Sequence, residues 1–169
     1  MARSGSIRPI RRARELCLHY QQGTSAGRRA ALGMPMDMRE RRLLIVDDEA
    51  DEAVFLTHGF RDGPSKVQIR HADNGADALD MIRSFDPDLV LLDLNMPGMD
   101  GFDVLRAIKS DSATLAVPTL IFSSSERAVD IERCYRDRAN AYVVKPHSPE
   151  GYRRLAENID RFWFETARV

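Results

Sequence analysis

The stretch "LVLLDLNMPGMDG" (Leu89–Gly101) opens on a four-residue apolar run that stops at one carboxylate, Asp93. After it comes a loop holding Pro97, Gly98 and Gly101, too rich in Pro and Gly for a helix. Four unbroken apolar residues read as a strand buried on both faces, which belongs to a parallel sheet covered by helices. An acid on the end of such a strand is costly unless something pairs with it.

The rest of the chain repeats the pattern. "RRLLIVDD" (41–48) is a second buried strand, ending in Asp47 and Asp48. Residues 49–60 place Ala50, Ala53, Val54 and Thr57 at helical spacing, and "RDGP" breaks the run. "KVQIRHA" (66–72) alternates as a strand, Asn74-Gly75 turns, and 76–84 is a short helix with Leu79 and Ile82 inward. Residues 101–110 make a helix with Phe102, Leu105 and Ile108 on one side. "PTLIF" (118–122) is the fourth strand in chain order, 126–138 a helix, "AYVV" (141–144) the fifth strand and 148–164 the last helix. Strand and helix alternating five times predict an α/β doubly wound parallel sheet with helices on both faces.

Residues 1–38 stand apart. They carry seven Arg, no Lys and two acids (Glu15 and Asp37), a charge of +5, and show no sustained period of 3.6 or 2. Residues 39–169 carry the other 18 basic and 24 acidic side chains, a charge of −6. Three readings fit the tail: a disordered segment, an Arg-rich targeting peptide, or sequence upstream of a true start at Met34, Met36 or Met38, with the last preferred. The mildly acidic body makes nucleic acid a poor partner. Cys17 and Cys134 give no disulfide framework, and no apolar run approaches the roughly 20 residues of a membrane span. A cytoplasmic setting is expected.

Chemistry in an open parallel sheet collects at the carboxyl ends of its strands. Those ends hold Asp47 and Asp48, then Asp93, then Ser123, then Lys145 before Pro146. Asp47 and Asp48 could merely decorate a helix N-terminus. Asp93 could cap its loop, Ser123 could cap the next helix, and Lys145 could be a solvated loop lysine. Together they suit another role. Three clustered carboxylates repel unless a cation joins them, and hard oxygen ligands in a watery site suit Mg²⁺. A carboxylate beside that charge can attack phosphorus and form an acyl phosphate. Lys145 can reach Asp93 and then a phosphoryl oxygen, and the Ser123 hydroxyl can follow that group. Pro146 marks an unusual turn, with a cis bond as one option. No GxxxxGK[ST] loop, GxGxxG turn or His/Cys metal spacing occurs, and His58, His71 and His147 read as surface or structural.

In order and spacing, "LLIVDDE", "LVLLDLNMPGMDG", "PTLIFSSS" and "AYVVKP" resemble the receiver domain of two-component response regulators over about residues 40–164. The resemblance implies strand order 2-1-3-4-5. It implies Asp93 as phosphoacceptor, Asp48 as direct Mg²⁺ ligand, Asp47 holding a coordinated water, and the Asn95 carbonyl as third protein ligand. Ser123 then fills the switch-hydroxyl position and Tyr142 the aromatic switch position, where an ordinary strand aromatic is the plainer reading. Gly98 stands where many members carry a larger residue, which loosens the loop but removes no ligand.

"SSSERAVDIERCYRDRANAYVVKP" and "IDRFWFETA" further resemble single-domain regulators associated with bacterial phytochromes. That implies a sensor histidine kinase, a bacterial phytochrome among the candidates, as phosphoryl donor. Only 24 residues follow Lys145, so output is expected through protein contacts, and no enzymatic activity is expected beyond self-phosphorylation and dephosphorylation. At 100° per residue, the last helix turns Leu155, Ile159 and Phe162 inward, puts Tyr152, Ala156 and Trp163 along the edge, and leaves Phe164 outward. Trp163 and Phe164 are therefore an expected partner surface, and the resemblance implies a homodimer through the fourth and fifth helices and the fifth strand. Rival readings are an aspartyl-phosphate phosphatase of the dehalogenase type, which carries a second Asp where this chain has Asn95, a nucleic-acid binder working through the basic tail, and a receiver-like scaffold that is never phosphorylated.

Overall fold

The computed structural model describes residues 40–61 and 63–167. The chain divides into Met1–Gly33 and Met34–Val169, and the described residues lie in the second unit. The expectations for the 1–38 tail lie outside the described residues.

Five strands and five helices alternate: β1 (Arg41–Val46), α1 (Ala50–Arg61), β2 (Val67–Ala72), α2 (Gly75–Phe85), β3 (Leu89–Leu92), α3 (Gly101–Ser110), β4 (Thr119–Ser123), α4 (Ala128–Arg136), β5 (Ala141–Val144) and α5 (Pro149–Ile159). The sheet is parallel throughout, in the order β2-β1-β3-β4-β5. Val46 pairs with Leu92, Leu92 with Ile121, and Ser123 with Val144. This register brings the carboxyl ends of the three central strands to one edge.

Successive strand residues point to opposite faces, so each strand feeds two cores. Leu44, Val46, Val90, Leu92 and Ile121 pack with Ile82, Phe85, Phe102, Leu105 and Ile108. Leu43, Ile45, Leu89, Leu91, Leu120 and Phe122 pack with Leu56, Phe60, Tyr152, Ala156 and Ile159. Each buried Val, Leu, Ile or Phe among them contributes about 1.5–3 kcal/mol relative to exposure, which is why the apolar strand runs dictate the architecture.

Helix boundaries follow their caps. The Asn74 side chain accepts from the Asp77 amide, so Asn74-Gly75 starts α2 rather than forming a separate turn. Asp100 caps α3 and Ser148 caps α5, whose first residue is Pro149. The predicted helix 126–138 is shorter, because Arg127 precedes it without a side-chain cap bond. Ser123 is therefore the last residue of β4 and not a helix cap. In α1, Leu56, Gly59 and Phe60 join Ala53 inward, while Val54 and Thr57 are exposed. A Cβ on Gly59 would lie 2.8 Å from the Ala156 Cβ, so α1 and α5 meet where side chains are smallest.

The C-terminal expectation is overturned. From Asp160 to Thr166 the helix is π-helical. The Phe162 carbonyl accepts from the Ala167 amide at 2.7 Å, and the Arg161 carbonyl from the Thr166 hydroxyl at 2.7 Å, both five residues on. Each residue turns through less than the 100° of an α-helix, so the faces exchange. Phe164 is 3% exposed and packs on Phe60, while Phe162 is 56% exposed and Trp163 half-buried. Phe164 is thus core, not partner surface. Its carbonyl accepts from the Arg41 guanidinium at 2.7 Å, at the start of β1 and so at the opposite edge of the sheet from the acids. Asp160 is fully buried and accepts from the Ser65 amide at 3.3 Å.

A candidate phosphoacceptor site at the strand ends

The ladder itself aims the acids. The Asp47 amide donates to Ala72, the Asp93 amide to Val46, and the Lys145 amide to Ser123. Pairing therefore continues one residue beyond β1, β3 and β5 and fixes the backbone under each functional side chain. Asp47 and Ser123 are fully buried, and Asp93 and Lys145 nearly so, while Asp48 is exposed beside them. One oxygen from each of Asp47, Asp48 and Asp93 lies within 4.8 Å of the others.

The Lys145 ammonium stands 2.8 Å from Asp47 Oδ2 and 3.5 Å from Asp93 Oδ2. The shorter contact, to Asp47, has the length of a charge-assisted ion pair. Asp47 Oδ1 accepts from the Glu49 amide at 3.0 Å and Asp93 Oδ1 from the Leu94 amide at 2.7 Å. Burial pushes the Asp47 carboxyl up to about 6 against the pull of Lys145. Burial also pulls on Lys145, but the adjoining Asp47 and Asp93 outweigh it and leave the ammonium raised. The two directions agree where Asp47 is ionised, above about pH 6.

Three carboxylates against one ammonium leave an excess of negative charge. The oxygen-only donor set fits a hard divalent cation. The loop after β3 folds tightly to make room: a Cβ on Gly101 would sit 2.0 Å from the Asp93 carbonyl, and Gly98 takes a φ of +81°. The Asn95 side chain donates to Ser123 Oγ at 3.3 Å, which joins the β3 and β4 loops. Ser123 Oγ also accepts from the Ser125 amide at 3.4 Å.

The structure thus brings Asp47, Asp48, Asp93 and Lys145 together, with Asn95 and Ser123 linked to each other. Tyr142 is half-buried, its hydroxyl donating to the Ser125 carbonyl at 2.7 Å. No peptide bond among the described residues is cis, so the turn at Lys145-Pro146 is trans. His71, read from sequence as surface or structural, is a support: its Nε2 lies 2.7 Å from the Asp47 carbonyl. No spacing in the sequence pointed to that role, which depends on β2 pairing beside β1.

The response regulator receiver domain family matches residues 43–157. The DNA-binding response regulator MtrA of Mycobacterium tuberculosis is 36% identical over 115 residues, 68% of this chain and 48% of that protein, so the chain spans about half the length of this curated relative. Among solved structures, the phosphorylated cyanobacterial phytochrome response regulator RcpA superposes with a TM-score of 0.72 at 26% identity, covering 77% of this chain and 98% of that one. The response regulator RPA3017 in red light signaling of R. palustris superposes at 0.68 with 30% identity, covering 76% and 96%.

Proposed function

Because the chain belongs to the response regulator receiver domain family, we propose that Asp93 accepts a phosphoryl group from the phosphohistidine of a sensor histidine kinase. The observation that carries this is the Lys145 ammonium 3.5 Å from Asp93 Oδ2, with the Asp47 and Asp48 oxygens beside it. In the transfer, an Asp93 oxygen attacks phosphorus as the P–N bond to histidine breaks, and histidine leaves with its nitrogen lone pair. Lys145 shifts from Asp47 toward a phosphoryl oxygen, and the Ser123 hydroxyl donates to another. Asp48, Asp93, the Asn95 carbonyl and Asp47 through a water would hold Mg²⁺, which when bound neutralises charge on the phosphoryl oxygens. Water attack on phosphorus later returns the carboxylate and inorganic phosphate.

On this reading Ser123 leaves its bond with Asn95 when it meets the phosphoryl group, and Tyr142 releases the Ser125 carbonyl as the segment moves. Output passes through protein contacts in the cytoplasm. The face of α4 and β5, where Val129, Tyr135 and Val144 are exposed, takes a second copy of the chain. The likeness to RcpA and RPA3017 supports a phytochrome-type kinase as donor. The phosphatase alternative loses support because Asn95 cannot act as a general acid. Incubation with acetyl phosphate and Mg²⁺ should label the wild type with one acid-stable, base-labile phosphoryl group, and Asp93→Asn should take none. Labelling of Asp93→Asn at wild-type stoichiometry overturns the assignment.

A further inference from the structure

Asp47 and Asp93 hold the Lys145 ammonium from one side, and the ring of Phe122 lies on it as a third neighbour, 5.6 Å from centroid to Nζ. Phe122 precedes Ser123 in β4, so its side chain points to the opposite face of the sheet, where it is 1% exposed. Tyr152 of α5 stands edge-on to it, with centroids 6.2 Å apart and planes at 82°. The Tyr152 hydroxyl donates to the Glu52 carboxylate of α1, and its ring leans on Phe55 at 5.1 Å. The Phe122 ring is therefore backed by the Tyr152 ring of α5, which α1 in turn holds through Glu52 and Phe55.

We propose that Phe122 is a positioning residue for Lys145: its ring face, fixed through Tyr152 and Glu52, holds the ammonium over Asp47 and Asp93. The proposal rests on the phosphoacceptor reading for its consequence but not for its geometry. A cation within about 6 Å of a ring centroid is attracted by the negative face of the ring. The two carboxylates are an unsteady anchor, because both also belong to the acidic cluster and Asp93 is the group that changes during transfer. The ring carries the same field in every state. A ring that merely filled core volume would be indifferent to its electronic character.

The test replaces Phe122, site-specifically in the full chain, with phenylalanines of increasing ring fluorination, which keep shape and withdraw charge from the ring face. Initial rates of labelling by acetyl phosphate at saturating Mg²⁺ should fall stepwise, to about one-fifth for the most fluorinated ring, while the melting temperature and the Mg²⁺ dissociation constant hold. Tyr152→Phe, which frees the ring from Glu52, should slow labelling by a smaller factor. Equal rates across the fluorinated series overturn the proposal and leave the phosphoacceptor reading standing. If the wild type takes no label, that reading fails, and the contact is decided by NMR. An upfield ring-current shift of the Lys145 ε-methylene that is lost in Phe122→Leu upholds it, and identical shifts in the two proteins overturn it.

Discussion

Asp48 and Lys109 show how differently one charge behaves in the open and in the interior. Asp48 is exposed, yet it sits within 4.8 Å of two further carboxylates, so its charge both recruits a cation and repels its neighbours. Asp48→Asn should weaken Mg²⁺ binding at least tenfold, measured by titration, and raise stability in chelator by on the order of 1 kcal/mol. Mg²⁺ titration like wild type excludes a ligand role. Lys109 is almost fully buried at the other end of the sheet, where it donates to the Val117 carbonyl at 2.7 Å and to Asn140 Oδ1 at 3.2 Å. Burial, with the charge of Arg138, pulls it down to about 8 from 10.5. Between those values the unfolded chain keeps a proton that the folded chain has lost, so stability rises with pH across that window. Relative to Lys109→Met, the wild type should gain on the order of 2 kcal/mol between pH 8 and pH 10.5. Parallel urea curves for the two proteins over that range would show that Lys109 titrates alike folded and unfolded.

At the scale of elements, the strands were the most legible part of the chain and the last helix the least. "LLIV", "LVLL" and "TLIF" are buried on both faces, so apolar composition alone marks them. The α5 reading assumed one period to Phe164. That period places Ile159 inward as expected, but Tyr152 and Ala156, expected along the edge, are buried while Leu155 is only half-buried, and it fails outright where the π-helix begins. No local residue announces the change. Arg41 holding the Phe164 carbonyl and Phe60 receiving its ring are both more than 100 residues away in sequence. Phe164→Ala should therefore cost about 3–5 kcal/mol in chemical unfolding, and Phe162→Ala no more than about 0.5 kcal/mol. Equal losses would mean that the helix runs on as α and that the two phenylalanines share a face.

For the molecule as a whole, the exposed apolar residues of α4 and β5 are the surface proposed to take a second copy. Sedimentation at tens of micromolar should give a dimer that beryllofluoride strengthens and that Val129→Asp with Tyr135→Ala disrupts. A monomer in both states, indifferent to those changes, removes the interface. The sequence by itself determined the sheet, its wrapping by helices and the convergence of Asp47, Asp48, Asp93, Ser123 and Lys145 at one edge. Apolar runs and strand ends are local properties, and parallel crossovers prune their arrangements to a handful, among which the family resemblance pointed to the order that the sheet has. Only the tertiary structure decided that Lys145 pairs with Asp47 more closely than with Asp93, that Asn95 holds Ser123, and that Phe164 rather than Phe162 is core. Those outcomes depend on differences of an ångström and on partners distant in sequence, and side-chain geometry of that kind exists only once the packed layers have set it.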